Sequence, residues 1–235
     1  MSLICVSLVE NTLSDLMKAA DKCKSLGADI IEVRLDRLKE PLSSTTLEKL
    51  SKLKENTELP TMLTLRPKWE GGNFEGNEER RWAILEEAIE IGFDYIDLEF
   101  KLDDKKKNQL MAKAKENHVK TIVSYHNFQE TPPWKEIFNQ IKECADTGAD
   151  IAKVVYYNKS INDALNILKA GSATKNIDHN FTAMGIGPQG HITRILAPAI
   201  GCEIVYASLE EGKEASEGQI DIMTLKQTWN LLGIK

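Results

Sequence analysis

Lys153 stands in the run ADIAKVV, residues 149 to 155, among small and branched residues. Removing water from an ammonium disfavours its charge and frees the amine. A free amine attacks a carbonyl to form a Schiff base, whose protonated nitrogen draws electrons from the adjacent carbon. The proton on that carbon then needs a base, and His126 in KTIVSYH is of the right type. Glu70, four residues past Arg66 and followed by Gly71 and Gly72, can reach back to orient the imidazole.

A second group of residues suits an anion. GIGPQGHITR, residues 185 to 194, ends in Arg194, whose planar fork holds a carboxylate with two bonds. Arg34, Arg66 and Arg194 would draw a small anion into a chain of formal net charge −6, so the local field outweighs the overall charge. EASEGQI, residues 214 to 220, reads as a polar, mobile lid. Plainer readings exist for each catalytic candidate. Lys153 would be an ion-pair partner, His126 a satisfied strand-end histidine, and Glu70 a loop acid.

The elements must bring these residues together. Branched runs at 3–8, 29–36, 61–66, 95–100, 120–126, 150–157, 181–187 and 203–209 read as strands. Helical patterns separate them, at about 14–26, 45–56, 77–91, 103–117, 134–147, 161–170, 190–200 and 221–232. Ser14 is the expected cap of the first helix and Gly27 its stop. Eight such units in 235 residues fit one (β/α)8 barrel, a TIM barrel spanning residues 1–235 as a single catalytic domain. A doubly wound sheet competes, but SLVENTLSD lacks the glycine-rich turn that fold favours after its first strand. The chain starts almost at its first strand, leaving little or no room for an N-terminal hairpin to seal the barrel.

Alternation then sorts the side chains. In DIIEVRLD, Ile31, Val33 and Leu35 cover the face toward the helices, which turns Glu32, Arg34 and Asp36 into the lumen. The same phase turns Arg66, Asp97, Glu99, Lys120, Ser124 and His126 inward. Both faces of DIAKVV are apolar, so Lys153 is assigned inward by analogy. GADIIEVRLD, GFDYIDLEF and GADIAKVVYY each carry a polar residue at the fifth place after the glycine: Glu32, Asp97 and Lys153. Buried ion pairs often give no net stability over apolar packing, so a charged lumen is more economically a binding site.

Composition narrows the class. Hydrophobic residues make up 42% and charged residues 28%, ordinary for a globular chain. Lysines interleave with glutamates, and no zinc-finger or RNP-like spacing occurs, so nucleic acid is not expected as a partner. No apolar run reaches the roughly 18 residues needed to cross a bilayer, and the start of the chain does not read as an export signal. Cys5, Cys23, Cys144 and Cys202 are widely spaced, which suits free thiols in a cytoplasmic protein. His118, His126, His179 and His191 offer no metal spacing.

At these residues the chain resembles the type I 3-dehydroquinate dehydratases. The motifs are EVRLD at Glu32 and Arg34, LRPKWEGG from Arg66 to Glu70, SYHNF at His126, AKVV at Lys153, MGIGPQGHITR to Arg194, and EGQI with Gln219. They cover essentially the whole chain in order.

The resemblance implies an eight-fold barrel of the shikimate pathway that dehydrates 3-dehydroquinate through a lysine imine. Lys153 would form the imine, His126 would move the protons and Glu70 would orient it. Arg194 would take the substrate carboxylate, while Glu32, Arg34, Arg66 and Gln219 would hold its oxygens. No metal or dissolved cofactor is implied, and a homodimer is. The family's lid has a hydroxyl residue four before the glutamine. Here Ala215 holds that place and Ser216 stands three before, so either the loop is one residue shorter and Ser216 substitutes, or the hydroxyl contact is absent; Glu217 must point away from the substrate carboxylate. The alternatives are another Schiff-base barrel such as an aldolase or transaldolase, and a non-enzymatic interaction protein on a degenerate barrel.

Overall fold

The alternation of branched and helical runs becomes eight parallel strands with helices between them. In the structure, a computed structural model describing residues 2–175 and 177–234, the strands are β1 (Leu3–Leu8), β2 (Ile30–Arg34), β3 (Thr61–Thr64) and β4 (Tyr95–Glu99). They continue with β5 (Lys120–Asn127), β6 (Ile151–Tyr157), β7 (Asn180–Ile186) and β8 (Ile204–Ala207). The helices are α1 (Leu13–Leu26), α2 (Ser44–Thr57), α3 (Glu78–Ile91), α4 (Asp104–Glu116) and α5 (Trp134–Asp146). After them come α6 (Ile161–Thr174), the short α7 (Gly190–Ile195) and α8 (Ala197–Ile200), and α9 (Ile222–Leu232).

The sheet runs β7-β6-β5-β4-β3-β2-β1-β8. Its ends meet at a seam where Glu203 N donates to Phe181 O at 2.7 Å. The Thr182 hydroxyl completes the seam, donating to Ile204 O at 3.0 Å and accepting from Ile204 N at 3.1 Å. The result is the expected single-domain (β/α)8 barrel, nearly closed.

Two apolar cores follow from the period of two. Ile31, Val33, Leu63, Leu65, Ile96, Leu98, Val123, Ala152 and Val154 pack outward against the helices. Cys5, Ile30, Met62, Tyr95, Ile122, Ile151 and Ile204 plug the lumen from within. Polar residues then occupy the inward positions nearer the strands' carboxyl ends, where barrels of this kind bind ligands.

The three similar stretches have a common job. Gly27, Gly92 and Gly148 take left-handed backbone after α1, α3 and α5. The aspartate two places later accepts an amide at the start of the preceding strand: Asp29 from Ile4 at 2.8 Å, Asp94 from Thr61 at 2.9 Å, and Asp150 from Thr121 at 2.7 Å. Each repeat thus locks a pair of strands in register. That shared geometry gives Glu32, Asp97 and Lys153 their common inward phase.

Several boundaries differ from the sequence reading. Thr12, not Ser14, caps α1, accepting from Asp15 N at 3.2 Å. The segment 190–200 is two short helices, because Pro198 has no N–H to give the carbonyl one turn earlier. Strand β3 stops at Thr64, just before Arg66 meets Pro67. Lys120 shares the inward phase but lies exposed at the lower rim, its ammonium 5.4 Å from the Tyr95 ring.

Candidate active site

Lys153 points into the lumen and is buried. Its Nζ donates to Asp97 Oδ2 at 2.9 Å and lies 4.0 Å from the centre of the Tyr206 ring. Asp97 Oδ1 accepts from Arg66 Nη2 at 2.6 Å and from the Ser124 hydroxyl at 2.6 Å. Burial alone would push the Asp97 carboxyl up, but Arg66 and Lys153 hold it well below the usual carboxylate range. Arg66 Nη1 continues the network to Glu99 Oε1 at 2.8 Å and Ser124 Oγ at 2.9 Å.

His126 is carried on β5 beside Lys153 on β6. Ser124 pairs with Lys153 and His126 with Val155, so the histidine lies one inward step above the lysine. Strand geometry puts their Cα atoms about 8 Å apart, near enough for amine and imidazole to converge on adjacent substrate carbons. Glu70 Oε1 accepts from His126 N at 2.9 Å and lies 3.1 Å from Nδ1. Its other oxygen, Oε2, is buried without a partner.

Glu70 reaches the imidazole because the chain folds back after β3. Phe74 N donates to Arg66 O, and Gly72 passes so close that a Cβ there would lie 2.0 Å from that carbonyl. Burial pushes the Glu70 carboxyl up to about 7, against the pull of Arg66. Burial also pushes the His126 imidazole well below its ordinary range, with Arg66 and Lys153 adding to the effect. A neutral imidazole with a carboxyl at Nδ1 has Nε2 free to act as a base. Phe128 stacks on the His126 ring, 6° from parallel with centroids 5.8 Å apart.

Arg194 forms the opposite wall. It is 1% exposed, and among the described residues no carboxylate pairs with it. Its contacts are to the carbonyls of Gly218 at 3.1 Å and Tyr206 at 3.0 Å and the Met184 thioether at 3.1 Å, with Gly185 O and Ser216 Oγ each at 3.4 Å. Burial lowers its pKa to about 10, so it stays charged at neutral pH.

The lid folds over this guanidinium. Gln219 Oε1 accepts from Ala215 N at 2.6 Å, Ser216 turns its hydroxyl to Arg194, and Glu217 is exposed. Glu32 accepts the hydroxyls of Ser7 at 2.5 Å and Thr64 at 2.7 Å. Arg34 gives Nε and Nη2 to Asp36, both at 2.8 Å. Lys153, His126, Glu70, Glu32, Arg34, Arg66, Arg194, Ser216 and Gln219 all line one cavity of about 560 Å³, its open mouth included. Among the described residues no group of three or more His, Cys, Asp or Glu is arranged to hold a metal.

The sequence model of the type I 3-dehydroquinases matches residues 4–235. The chain belongs to that family. The 3-dehydroquinate dehydratase of Methanocaldococcus jannaschii is 36% identical over 99% of this chain and 100% of its own length. The crystal structure of the enzyme from Geobacillus kaustophilus superposes with a TM-score of 0.90 at 25% identity, covering 99% of this chain and 91% of that one. The type I enzyme from Clostridium difficile, solved with covalently modified comenic acid, gives a TM-score of 0.90 at 26% identity over 98% and 92% of the two chains.

This type I 3-dehydroquinase also lines its cavity with residues the sequence reading had not assigned. Ser7, Thr64 and Tyr206 line it from inward positions of β1, β3 and β8, and strand alternation alone would have found them. Phe128 lies past the end of β5, where no period applies. The Asp36 partner of Arg34 was visible in EVRLD only as another inward acid.

Proposed function

We propose that this type I 3-dehydroquinase dehydrates 3-dehydroquinate to 3-dehydroshikimate in the shikimate pathway, with Lys153 as the imine-forming amine, His126 as the acid–base group and Glu70 as its orienting partner. The amine adds to the C3 ketone, and the adduct loses its oxygen as water to leave a protonated imine. His126 Nε2 takes the C2 proton, and the electron pair of that bond enters an enamine. The enamine restores the iminium and expels the C1 hydroxyl, which leaves as water with the proton held by His126. One imidazole serving both transfers makes the elimination syn. Hydrolysis of the product imine returns Lys153.

The observation that carries this reading is the pairing, in one cavity, of a buried lysine held by Asp97 with a neutral imidazole one strand away. The unpaired Arg194 supports the assignment of the substrate carboxylate to the opposite wall. Glu32, Arg34 and Gln219 are taken to hold the hydroxyls, Arg66 to fix the acids beneath them, and Ser216 to supply the lid contact. The chemistry needs no metal or dissolved cofactor.

The same reading takes residues 1–235 as one catalytic domain working in the cytoplasm as a homodimer, on a free metabolite and without nucleic acid. The four buried free cysteines support a reducing compartment. Ile161 and Leu165, exposed one turn apart on α6, support a second copy as partner. A monomeric mass by sedimentation at micromolar concentration would reject the dimer.

Incubation with 3-dehydroquinate and borohydride is expected to leave a covalent adduct on Lys153, read by intact mass and peptide mapping. Lys153→Ala is expected to lose both the adduct and the rise in ultraviolet absorbance of the conjugated product. Turnover without an adduct, or near-normal turnover of Lys153→Ala, would overturn the imine assignment.

A further inference from the structure

Arg81 is an arginine where a hydrophobic residue is expected. It shares the buried face of α3 with Ile84, Leu85, Ala88 and Ile89, and its side chain is 0% exposed. Its guanidinium leaves the helix layer and donates Nη1 to Glu99 Oε2 at 2.6 Å. At the outer end, Nε and Nη2 donate to Glu78 at 3.0 and 2.7 Å. Apolar packing at such a position is commonly at least as stable as a buried ion pair, so packing α3 on the barrel does not require this charge.

The inner end of the contact leads to the reacting amine. Glu99 divides its two oxygens between Arg81 and Arg66. Arg66 divides its two terminal nitrogens between Glu99 and Asp97, and Asp97 holds Lys153. The charges alternate in sign from α3 to Lys153, and every link is 2.9 Å or shorter. We propose that Arg81 is a positioning residue for the Lys153 amine, acting through Glu99, Arg66 and Asp97. This rests on the assignment of Lys153 as the imine-forming residue.

The second cation is needed because Arg66 serves two carboxylates at once. Burial raises the Glu99 carboxyl above its ordinary range even with both guanidiniums in place. Without Arg81, Glu99 loses the partner of its Oε2 and burial pushes its carboxyl further up, so its hold on Arg66 weakens. The guanidinium is then free to turn about its remaining carboxylate, and Asp97 no longer presents Oδ2 at one fixed place. A shift of about 1 Å between reacting groups costs up to about a hundredfold in rate.

The test compares wild type with Arg81→Met, Arg81→Lys, Glu99→Gln and the Arg81→Met/Glu99→Gln double variant. The double variant leaves no buried carboxylate unpaired, since Glu78, the outer partner of Arg81, is partly open to water, so it keeps the test open if Arg81→Met does not fold. Steady-state kinetics and the single-turnover rate of borohydride-trapped adduct formation are read on folded protein.

Arg81→Met, Glu99→Gln and the double variant are each expected to lower kcat about tenfold to a hundredfold, with KM within about threefold. Adduct formation should slow in step, the three losses should not add, and Arg81→Lys should recover most of the rate. Wild-type kcat in the folded double variant, with only a change in Tm, would overturn the proposal, as would additive losses. A wild-type enzyme that forms no adduct would refute the assignment of Lys153 instead, and that result is separate.

Discussion

The two walls of the cavity are built on opposite principles. On the Lys153 wall every charge has a partner: Lys153, Asp97, Arg66, Glu99 and Arg81 form one closed network of short ion pairs. On the Arg194 wall a fully buried guanidinium meets only carbonyls, a thioether and a hydroxyl. Saturated polar networks resist movement, whereas an unpaired buried charge favours any ligand that brings its counter-charge. In the proposed mechanism the first wall fixes the reacting atoms and the second keeps free energy in reserve for binding.

The largest expected effect breaks that contrast directly. Asp97→Asn leaves Arg66 and Lys153 facing each other with no anion between them. Stability is expected to fall by about 3 kcal/mol, as for one partner lost from a buried pair, and kcat by about a hundredfold or more. Arg194→Gln should behave in the opposite way. It loses carbonyl bonds but relieves an uncompensated charge, so stability changes by less than about 1 kcal/mol while KM rises about a hundredfold. Urea unfolding and steady-state kinetics on the two variants check both halves. If Arg194→Gln costs as much stability as Asp97→Asn, the walls do not differ as described.

A smaller effect sharpens the account of the dyad that stands between the walls. Glu70 is raised to about 7 by burial, so it is ionised above that pH and protonated below it. The ionised form can only accept, which keeps the ring proton on Nδ1 and Nε2 free as a base, whereas the protonated form can donate to Nδ1 and move the ring proton to Nε2. Activity should therefore be full above about pH 7 and fall about tenfold for each unit below it, with the limb set by Glu70. Glu70→Gln keeps an acceptor oxygen but cannot titrate. Its plateau is expected to drop about tenfold, with the acid limb moved down to where His126 itself takes a proton. The pH profile of kcat/KM checks this, and an unmoved limb in Glu70→Gln would assign it to another group.

What the sequence made legible follows the same division. Lys153, Asp97, Glu32 and His126 were readable because strand alternation has a strict period, and the helix-stop glycine with its aspartate repeats the phase on three strands. Arg194 and Gln219 lie off the strands, so no period reached them: Arg194 stood out by its residue type at the end of GIGPQGHITR, and Gln219 through the family motif. Arg81 was not readable at all. In EERRWAIL it looks like the charged edge of an amphipathic helix, and only the fold brings Glu99 within 2.6 Å of it. The ends of β2 and β3 were overextended for a related reason. Asp36 and Arg66 continue the alternation in type, but the strands have ended at Arg34 and Thr64 and the turns that carry Asp36 and Glu70 follow.

The smallest effect tests whether the lid belongs to the binding wall or only covers it. Ser216 is proposed as the stand-in for a hydroxyl expected one residue earlier, and its Oγ lies 3.4 Å from Arg194 Nη2, too long for a strong hydrogen bond. The loop's shape is set elsewhere, by Gln219 accepting from Ala215 N and by Gly187 N donating to Glu217 O. Ser216→Ala should therefore leave kcat unchanged and raise KM by no more than about threefold, the worth of one long, weak hydrogen bond. A rise beyond about tenfold would mean that the hydroxyl moves onto the ligand when the carboxylate arrives. The Arg194 wall would then be completed by the substrate rather than preformed.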